Sequence, residues 1–577
     1  MQILKVSQNI EYLQTDFSTV FGMRIGTKKL NLQKDTKKVK SKIKNSITVL
    51  AVAIIGIAVA QAQGRGDFRY YAQLNATAAA GKYAPYWFTA NNNAVSPVDN
   101  ISGYARYGMS YAGSFGKNGD FRYNVTADII AGHNRPDAVS YQQAFGEFGW
   151  RWIRLSIGSK ERWSEQEYFS RKAMRNALDG NNVTRHCPNL FTERLASLGT
   201  GGLTYSGNSR PIPQIRIEIP DFVDIPGTKE WLKYRGYFSY GIFSDNSYQR
   251  MIAEAYPGAR HTKNVLYHGK GGFVSIGKPS AFPVTFDGGL EMHTQFGGTI
   301  YNAGNRTITM PHKFMDFFKA FIPMSGSGDT PVVEQTNISG NQIGSWQAAF
   351  TIYTRPLEIR IYGEHMFEDF SQLFFFEYQM NSEGKRRTLV YPWRDIQIGI
   401  NIANRSGILP FISNVRYEYL TTRDQSGALY HDPSDYFNDQ MDGCDNYYNH
   451  GFYPGWHHWG MGIGNPLVIS PAYNRDGNVQ FRSNRLIAHN VGINGIIGGK
   501  FPLAYRFNYT YSENWGTYMN PFSEKRYTTS LLAEITYIPK NSGWSGTLSL
   551  GCDRSSFIGN NVGAIFTITR SGSFLKK

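Results

Sequence analysis

Apolar and polar residues alternate with period two along most of this chain. Phe121-Arg-Tyr-Asn-Val-Thr-Ala-Asp-Ile129 alternates through nine residues. Ile215, Ile217 and Ile219 flank Arg216 and Glu218, and Leu357, Ile359 and Ile361 flank Glu358 and Arg360. Ile396, Ile398, Ile400 and Ile402 enclose Gln397, Gly399 and Asn401, and Val415, Tyr417 and Tyr419 enclose Arg416 and Glu418. Tyr505, Phe507, Tyr509 and Tyr511 alternate with Arg506, Asn508 and Thr510, and 547–551 and 563–569 continue the habit. Successive side chains of a strand point to opposite faces, so this pattern predicts strands with one greasy and one polar side.

A soluble sandwich buries the greasy side between sheets, whereas a membrane barrel turns it to lipid and keeps the polar side in its lumen. The barrel is favoured here. The apolar positions are often Tyr, Phe and Trp, as interfacial girdles require, and the polar faces carry charges that suit a wet or ion-paired lumen. No segment after residue 62 reaches 18 consecutive apolar residues, so helical spans are not expected there. At about 10 residues per strand, and roughly 28 with a connection, the chain predicts about 18 strands, in the range 16–20.

Two stretches break the period. Trp163 to Leu198 places Phe169, Ala173, Met174, Ala177, Leu178, Phe191, Leu195 and Leu198 at helical spacing, as does the run Phe314, Phe317, Phe318, Phe321 and Ile322. Both predict short amphipathic helices on loops, plugging the lumen, packing at the periplasmic rim or simply covering loop surface.

The N-terminal region reads as a leader. A lysine cluster from Lys37 to Lys44 precedes the apolar run 47–60, and Ala60-Gln61-Ala62 offers a small-x-small cleavage pattern. Met23 is an alternative start. Residues 1–62 hold nine Lys, one Arg and three acids, a net +7, so 63–577 carry only +9 of the total +16. The expected organisation is a leader, 1–62, followed by one barrel domain, 63–577.

Composition agrees. Charged residues are only 18% and aromatics 15% of the 577, against about 25% charge in soluble domains, and such a chain is not disordered. Neither a basic stripe nor a nucleic-acid module is present, so no nucleic-acid partner is expected. The three cysteines, Cys187, Cys444 and Cys552, permit one disulfide at most and show no zinc spacing.

Several motifs in order carry a family resemblance. Leu203-Thr-Tyr-Ser-Gly-Asn-Ser-Arg-Pro-Ile-Pro213 comes first, followed by Leu266-Tyr-His-Gly-Lys270 and Gly289-Leu-Glu-Met-His-Thr-Gln-Phe-Gly-Gly298. Gly340-Asn-Gln-Ile-Gly-Ser-Trp346, Tyr362-Gly-Glu-His-Met-Phe-Glu-Asp369, Asn446-Tyr-Tyr-Asn-His-Gly451 and Gly464-Asn-Pro466 complete the series. Over roughly Tyr86 to Pro466 the chain resembles the Wzi family of capsule assembly proteins, in its Bacteroidetes-type branch. The resemblance implies an outer-membrane β-barrel that binds capsular polysaccharide, organises it at the cell surface and catalyses nothing. The insert 163–198 and Ser209 depart from the family pattern.

Sugar recognition uses aromatic faces beside planar hydrogen-bonding groups. The segment 430–460 holds nine aromatics and five Asp with no Lys or Arg, and predicts a long loop. Its stacking candidates are Tyr447, Tyr448, Tyr453, Trp456 and Trp459, and its polar candidates Asp442, Asp445, Asn446 and Asn449. These rings could equally be girdle or packing. Arg210, between a turn and two prolines, holds a lumen carboxylate or meets an anionic polymer. Asp432, Asp435, Asp439 and Asp442 fit no EF-hand, and His457-His458 read as solvated, so no metal and no cofactor are expected. His293 is expected to face the lumen. The pairs His365/Ser371 and His450/Asp445 are the only candidates for hydrolysis, without a nucleophile elbow. The expected partners are capsular polysaccharide and outer-membrane lipid, in a monomer, and the alternative reading is a porin for small solutes or saccharides.

Overall fold

A computed structural model describes residues 65–116, 119–169, 197–322, 340–368, 377–380, 386–390, 394–405, 411–430, 441–497, 503–539 and 542–573. The described residues fall within one compact unit, and residues 1–64 lie outside them. The leader reading, Cys187, Ser371 and most of the 163–198 insert also fall outside them.

Eighteen antiparallel strands close into one barrel. They are β1 (Arg65–Ala80), β2 (Ile101–Phe115), β3 (Phe121–His133), β4 (Val139–Trp150), β5 (Ile153–Ser159), β6 (Gln214–Asp224), β7 (Leu232–Ile242), β8 (Leu266–Ile276) and β9 (Val284–Phe296). The second half is β10 (Asn341–Tyr353), β11 (Leu357–Glu368), β12 (Ile396–Asn404), β13 (Asn414–Thr421), β14 (Leu486–Ile497), β15 (Leu503–Gly516), β16 (Pro521–Tyr537), β17 (Trp544–Ser555) and β18 (Asn561–Ser573). Each strand pairs with its chain neighbour, and β1 pairs with β18 from Arg69↔Ser573 to Ala80↔Val562, so no edge is left. Closure satisfies every ladder group internally, which a hydrocarbon surround demands.

The two faces sort as the alternation predicts. On β15, Arg506, Asn508, Thr510 and Ser512 are buried toward the lumen while Phe507 is exposed. On β17, Ser545, Thr547 and Ser549 face in, and Leu548 and Leu550 face out. Ile215 and Ile217 face out while Arg216 and Glu218 face in, joined at 2.7 Å. Exposed aromatics ring one end: Phe115, Trp150, Trp152, Trp231, Phe282 and Trp544. That end carries the short connections, such as 151–152, 354–356 and 498–502, while the long ones, 81–100, 160–213, 243–265, 297–340, 369–395 and 422–485, all leave the other end. An apolar band with an aromatic girdle, short turns at one end and long loops at the other make this a bacterial outer-membrane β-barrel.

Helices on the long loops, among the described residues, include α1 (Tyr86–Thr89), α2 (Asn246–Ala255) and α3 (Phe314–Phe321). Of the predicted 163–198 insert, residues 165–169 are helical and the remainder up to 196 lies outside the described residues. The second predicted helix, α3, exists but lies neither in the lumen nor at the periplasmic rim. Phe317 packs on Tyr240 (5.5 Å) and Phe296 (5.1 Å), which point away from the lumen. On the outer wall Phe317 finds apolar partners that a polar lumen does not offer.

Placing a charge on the lipid face should be costly. Leu548 sits mid-strand between outward-facing Ile535 and Phe566. Leu548→Arg is expected to lower the unfolding free energy in phospholipid vesicles by about 2–4 kcal/mol if the site lies near the midplane. Ser549→Arg, pointing into the lumen, gives the comparison. Equal tolerance at both positions in a urea titration would place Leu548 away from lipid.

Candidate functional site

The lumen is filled at its long-loop end by the loops themselves. Residues of 83–98, 203–212, 243–265 and 447–481 form one apolar cluster with Tyr267, Ile343, Met366, Leu420 and Leu486 of the wall. A chain crossing a barrel must find partners for its own amides, and the wall supplies them. Asn490 and Asn508 donate to Leu198 O at 2.9 and 2.8 Å, and Arg506 Nη1 donates to Ser197 O at 3.0 Å. Glu418 accepts from Thr200 N at 2.7 Å, and Glu364 accepts from Leu203 N at 3.0 Å. Gly492 lets the loop at Leu198 approach, since a Cβ there would lie 2.6 Å from Leu198 O. On β17 Asp553 accepts from Tyr86 N at 3.0 Å, capping α1.

The blocks that carry the family resemblance are far apart in sequence and converge here. Tyr448 donates its hydroxyl to Leu203 O and its backbone N–H to Glu368 Oε1 at 2.5 Å. Ser206 Oγ donates to Gly464 O at 2.6 Å, and Trp456 Nε1 to Thr204 O at 3.0 Å. Gln295 Nε2 donates to Gly455 O at 3.1 Å, and its Oε1 accepts from Asn341 Nδ2 at 2.8 Å. His293, facing the lumen as predicted, bonds the hydroxyls of Tyr267 (2.7 Å) and Tyr237 (3.0 Å) and lies 6.0 Å from the Trp456 ring. The motifs form the joint between plug and wall.

The candidate sugar-stacking rings occupy the centre of that joint. Tyr447, Tyr448, Tyr453 and Trp456 are 0–1% exposed and Trp459 6%, so no ring face meets solvent in this state. Tyr447 OH donates to Asp395 Oδ2 at 3.0 Å and Tyr453 OH to Gly297 O at 3.1 Å. Asn446 Oδ1 accepts from Asn484 at 2.6 Å, and Asn449 exchanges two hydrogen bonds with the Phe481 backbone. Asp445 is half-buried, and Asp442 lies on 441–444, whose side chains are outside those described.

Arg210 is buried, its guanidinium 3.9 Å over the Trp459 ring and 3.9 Å from Asp137. Burial lowers it to about 10, and burial with the charge of Arg210 lowers Arg135 to about 10. His457 and His458 are buried, which corrects the solvated reading. His458 Nδ1 donates to Arg210 O at 2.8 Å while its Nε2 accepts from Ser244 N at 3.1 Å. Among the described residues no group of three or more His, Cys, Asp or Glu could hold a metal ion. His450 Nδ1 accepts from the N–H groups of Phe452 and Tyr453, occupying a lone pair that a general base needs. His365 Nδ1 donates to Asp395 O at 2.7 Å. A small cavity of about 20 Å³ lies among Arg162, Glu165, Arg216, Arg235, Glu291 and His293, roomy enough for about one water.

The sequence reading passed over the surface above this plug. Tyr256 is 36% exposed and donates its hydroxyl to Arg475 O at 2.7 Å. His261 stacks on Tyr301 at 4.7 Å and 10°, and Asn302 ties to Ala259 at 3.1 Å. These residues come from three connections, so no local run of sequence signals the patch.

No protein-family model matches the chain, and no curated protein matches it. Solved structures with similar coordinates include Wzi of Escherichia coli, described as an outer membrane protein involved in group 1 capsule assembly and a carbohydrate-binding β-barrel. It is 14% identical, with 91% of this chain and 88% of that chain covered and a TM-score of 0.46. OccK5 of Pseudomonas aeruginosa is 7% identical over 88% and 98%, TM-score 0.41, and OccAB4 of Acinetobacter baumannii 8% over 89% and 99%, TM-score 0.42.

The plug should loosen in acid. Burial depresses His450 and His457 to about 4 and His458 to about 3, whereas an unfolded loop would protonate them near 6.5. Between those values the unfolded loop binds more protons, so plug stability is full above about pH 6.5 and falls as pH drops toward 4. Current events through the protein in planar bilayers should be rare at pH 7.5 and frequent at pH 4.5. A plug equally closed at both would count against this packing.

Proposed function

We propose that the protein is a non-catalytic outer-membrane barrel that binds capsular polysaccharide at the cell surface and helps hold it there. The observation that carries the reading is the plug. Its backbone is bonded to lumen side chains of β11, β13, β14 and β15, an arrangement suited to presenting a fixed surface rather than passing solutes. The ordered motifs that resemble the Wzi family support the same reading, because they build this joint. The polymer would rest on the aromatic patch above the plug, with Tyr256 and the His261–Tyr301 stack facing sugar rings and Arg475 beside them.

The competing reading, a channel for small solutes, draws its support from the charged lumen. There, however, several guanidinium groups are paired: Arg106 with Glu161 (2.9 Å), Arg360 with Asp287 (2.5 Å) and Arg416 with Glu418 (2.7 Å).

Purified capsular polysaccharide should bind the detergent-solubilised protein, and Tyr256→Ala with Tyr301→Ala should weaken binding by roughly fivefold each, the loss of about 1 kcal/mol per aromatic contact. At neutral pH the same protein should stay closed in planar bilayers. Steady conductance with no polysaccharide binding in calorimetry would favour the channel.

A further inference from the structure

Helix α3 presents its greasy side away from the protein. Phe314, Met315, Phe318, Phe321 and Ile322 are 89, 58, 49, 41 and 44% exposed, while Asp316 and Ala320 are buried. Three strands independently place it on the outer wall. Tyr237, Tyr267 and His293 meet in the lumen, so alternation turns Tyr240, His268, Lys270 and Phe296 outward. Tyr240 OH donates to Phe317 O at 2.7 Å, and Lys270 Nζ donates to Phe321 O, a last-turn carbonyl that the helix cannot satisfy itself. His268 packs between Tyr240 (4.5 Å) and Phe321 (5.7 Å). An eight-residue helix is marginal alone in water, and an apolar face of this kind in water is a liability.

Below the end of α3 the wall is dented. Gly236 pairs with Gly272 across β7 and β8, and a Cβ built on Gly272 meets nothing within 4 Å. The result is a groove of about 480 Å³ bounded by Ile217, Tyr234, Phe238, Leu290 and Phe321, within the roughly 300–1,000 Å³ of small-molecule sites. Lys270 lines it too, with ammonium donors left over after Phe321 O. Ile217, Tyr234 and Phe238 are 40–42% exposed and belong to the band that faces acyl chains, so groove and helix face continue the lipid interface.

We propose that α3 is an interfacial anchor lying in the bilayer against β7–β9, and that the groove beneath it seats one acyl chain of a phospholipid whose phosphate meets Lys270. The wall grips the helix through backbone carbonyls and Phe317, which frees its apolar face for lipid. This site lies on the opposite side of the wall from the plug and stands independently of polysaccharide binding.

The full chain with Cys187, Cys444 and Cys552 changed to Ser, carrying Phe318→Cys labelled with a nitrobenzoxadiazole dye, is reconstituted in dioleoyl phosphatidylcholine–phosphatidylglycerol vesicles. Brominated acyl chains should quench the dye, and aqueous iodide should not. Quenching by iodide would overturn the anchor, and shielding from both would assign the face to a second copy of the chain. Native mass spectrometry of the otherwise unaltered protein should show retained dioleoyl phosphatidylglycerol. Gly272→Trp, which fills open space, should remove most of it, and Lys270→Met should weaken retention, with heat-modifiable gel mobility unchanged in both. Equal lipid on the unaltered protein and Gly272→Trp would overturn the groove.

Discussion

The governing constraint is that polar backbone has no water to turn to, either in the bilayer or in a packed lumen. In the bilayer the answer is closure: eighteen strands pair in sequence and β18 returns to β1. In the lumen the answer is side chains. Leu198 O, Thr200 N, Leu203 N and Thr204 N are all bonded by wall residues pointing inward. An unmade bond of that kind costs about 1–3 kcal/mol. A plug so bonded is part of the fold rather than a loose cap.

The same constraint explains the charges inside. Arg416 and Glu418 are each about 1% exposed and sit 2.7 Å apart, with Tyr362 OH bonded to Glu418 at 2.5 Å and accepting from Arg416 Nε at 2.7 Å. Removing one partner of such a buried pair costs about 3–5 kcal/mol, though replacing both with apolar groups is often neutral. Glu418 also accepts from Thr200 and Asn490. Its charge therefore orients plug and wall together, a specific use that an apolar pair could not fulfil.

The wall was legible in the sequence because a strand's partition between lipid and lumen is written at period two, within a few residues. Ile215 to Glu218 and Tyr505 to Thr510 fall on the faces their alternation implies. The strand number followed from length. The joint was only half legible. Tyr447, Tyr448, Tyr453 and Trp456 stand out by density, but whether a ring stacks on sugar or on its own core depends on contacts such as Leu203 O and Gly297 O, 245 and 156 residues away. The surface patch gave no signal, because Tyr301 and Arg475 come from other connections than the one that holds Tyr256 and His261. Helix α3 was visible by spacing, yet its side of the wall was not, since spacing reports an apolar face and not which solvent that face meets.

One sector of the wall now serves two packed layers. On β8 and β9 the inward residues Tyr267 and His293 support Trp456 of the plug, with Tyr237 of β7 bonded to His293, and the outward residues Tyr240, His268 and Phe296 support α3. Inner and outer supports alternate along the same three backbones: Tyr267 beside His268, and His293 three residues from Phe296. Side chains cannot exchange faces without a one-residue slip of the strand, which would reverse every neighbour. The register that seats the plug thus also seats the helix. The sequence there is consequently held from both sides, by the core of the plug within and by the lipid-facing helix without.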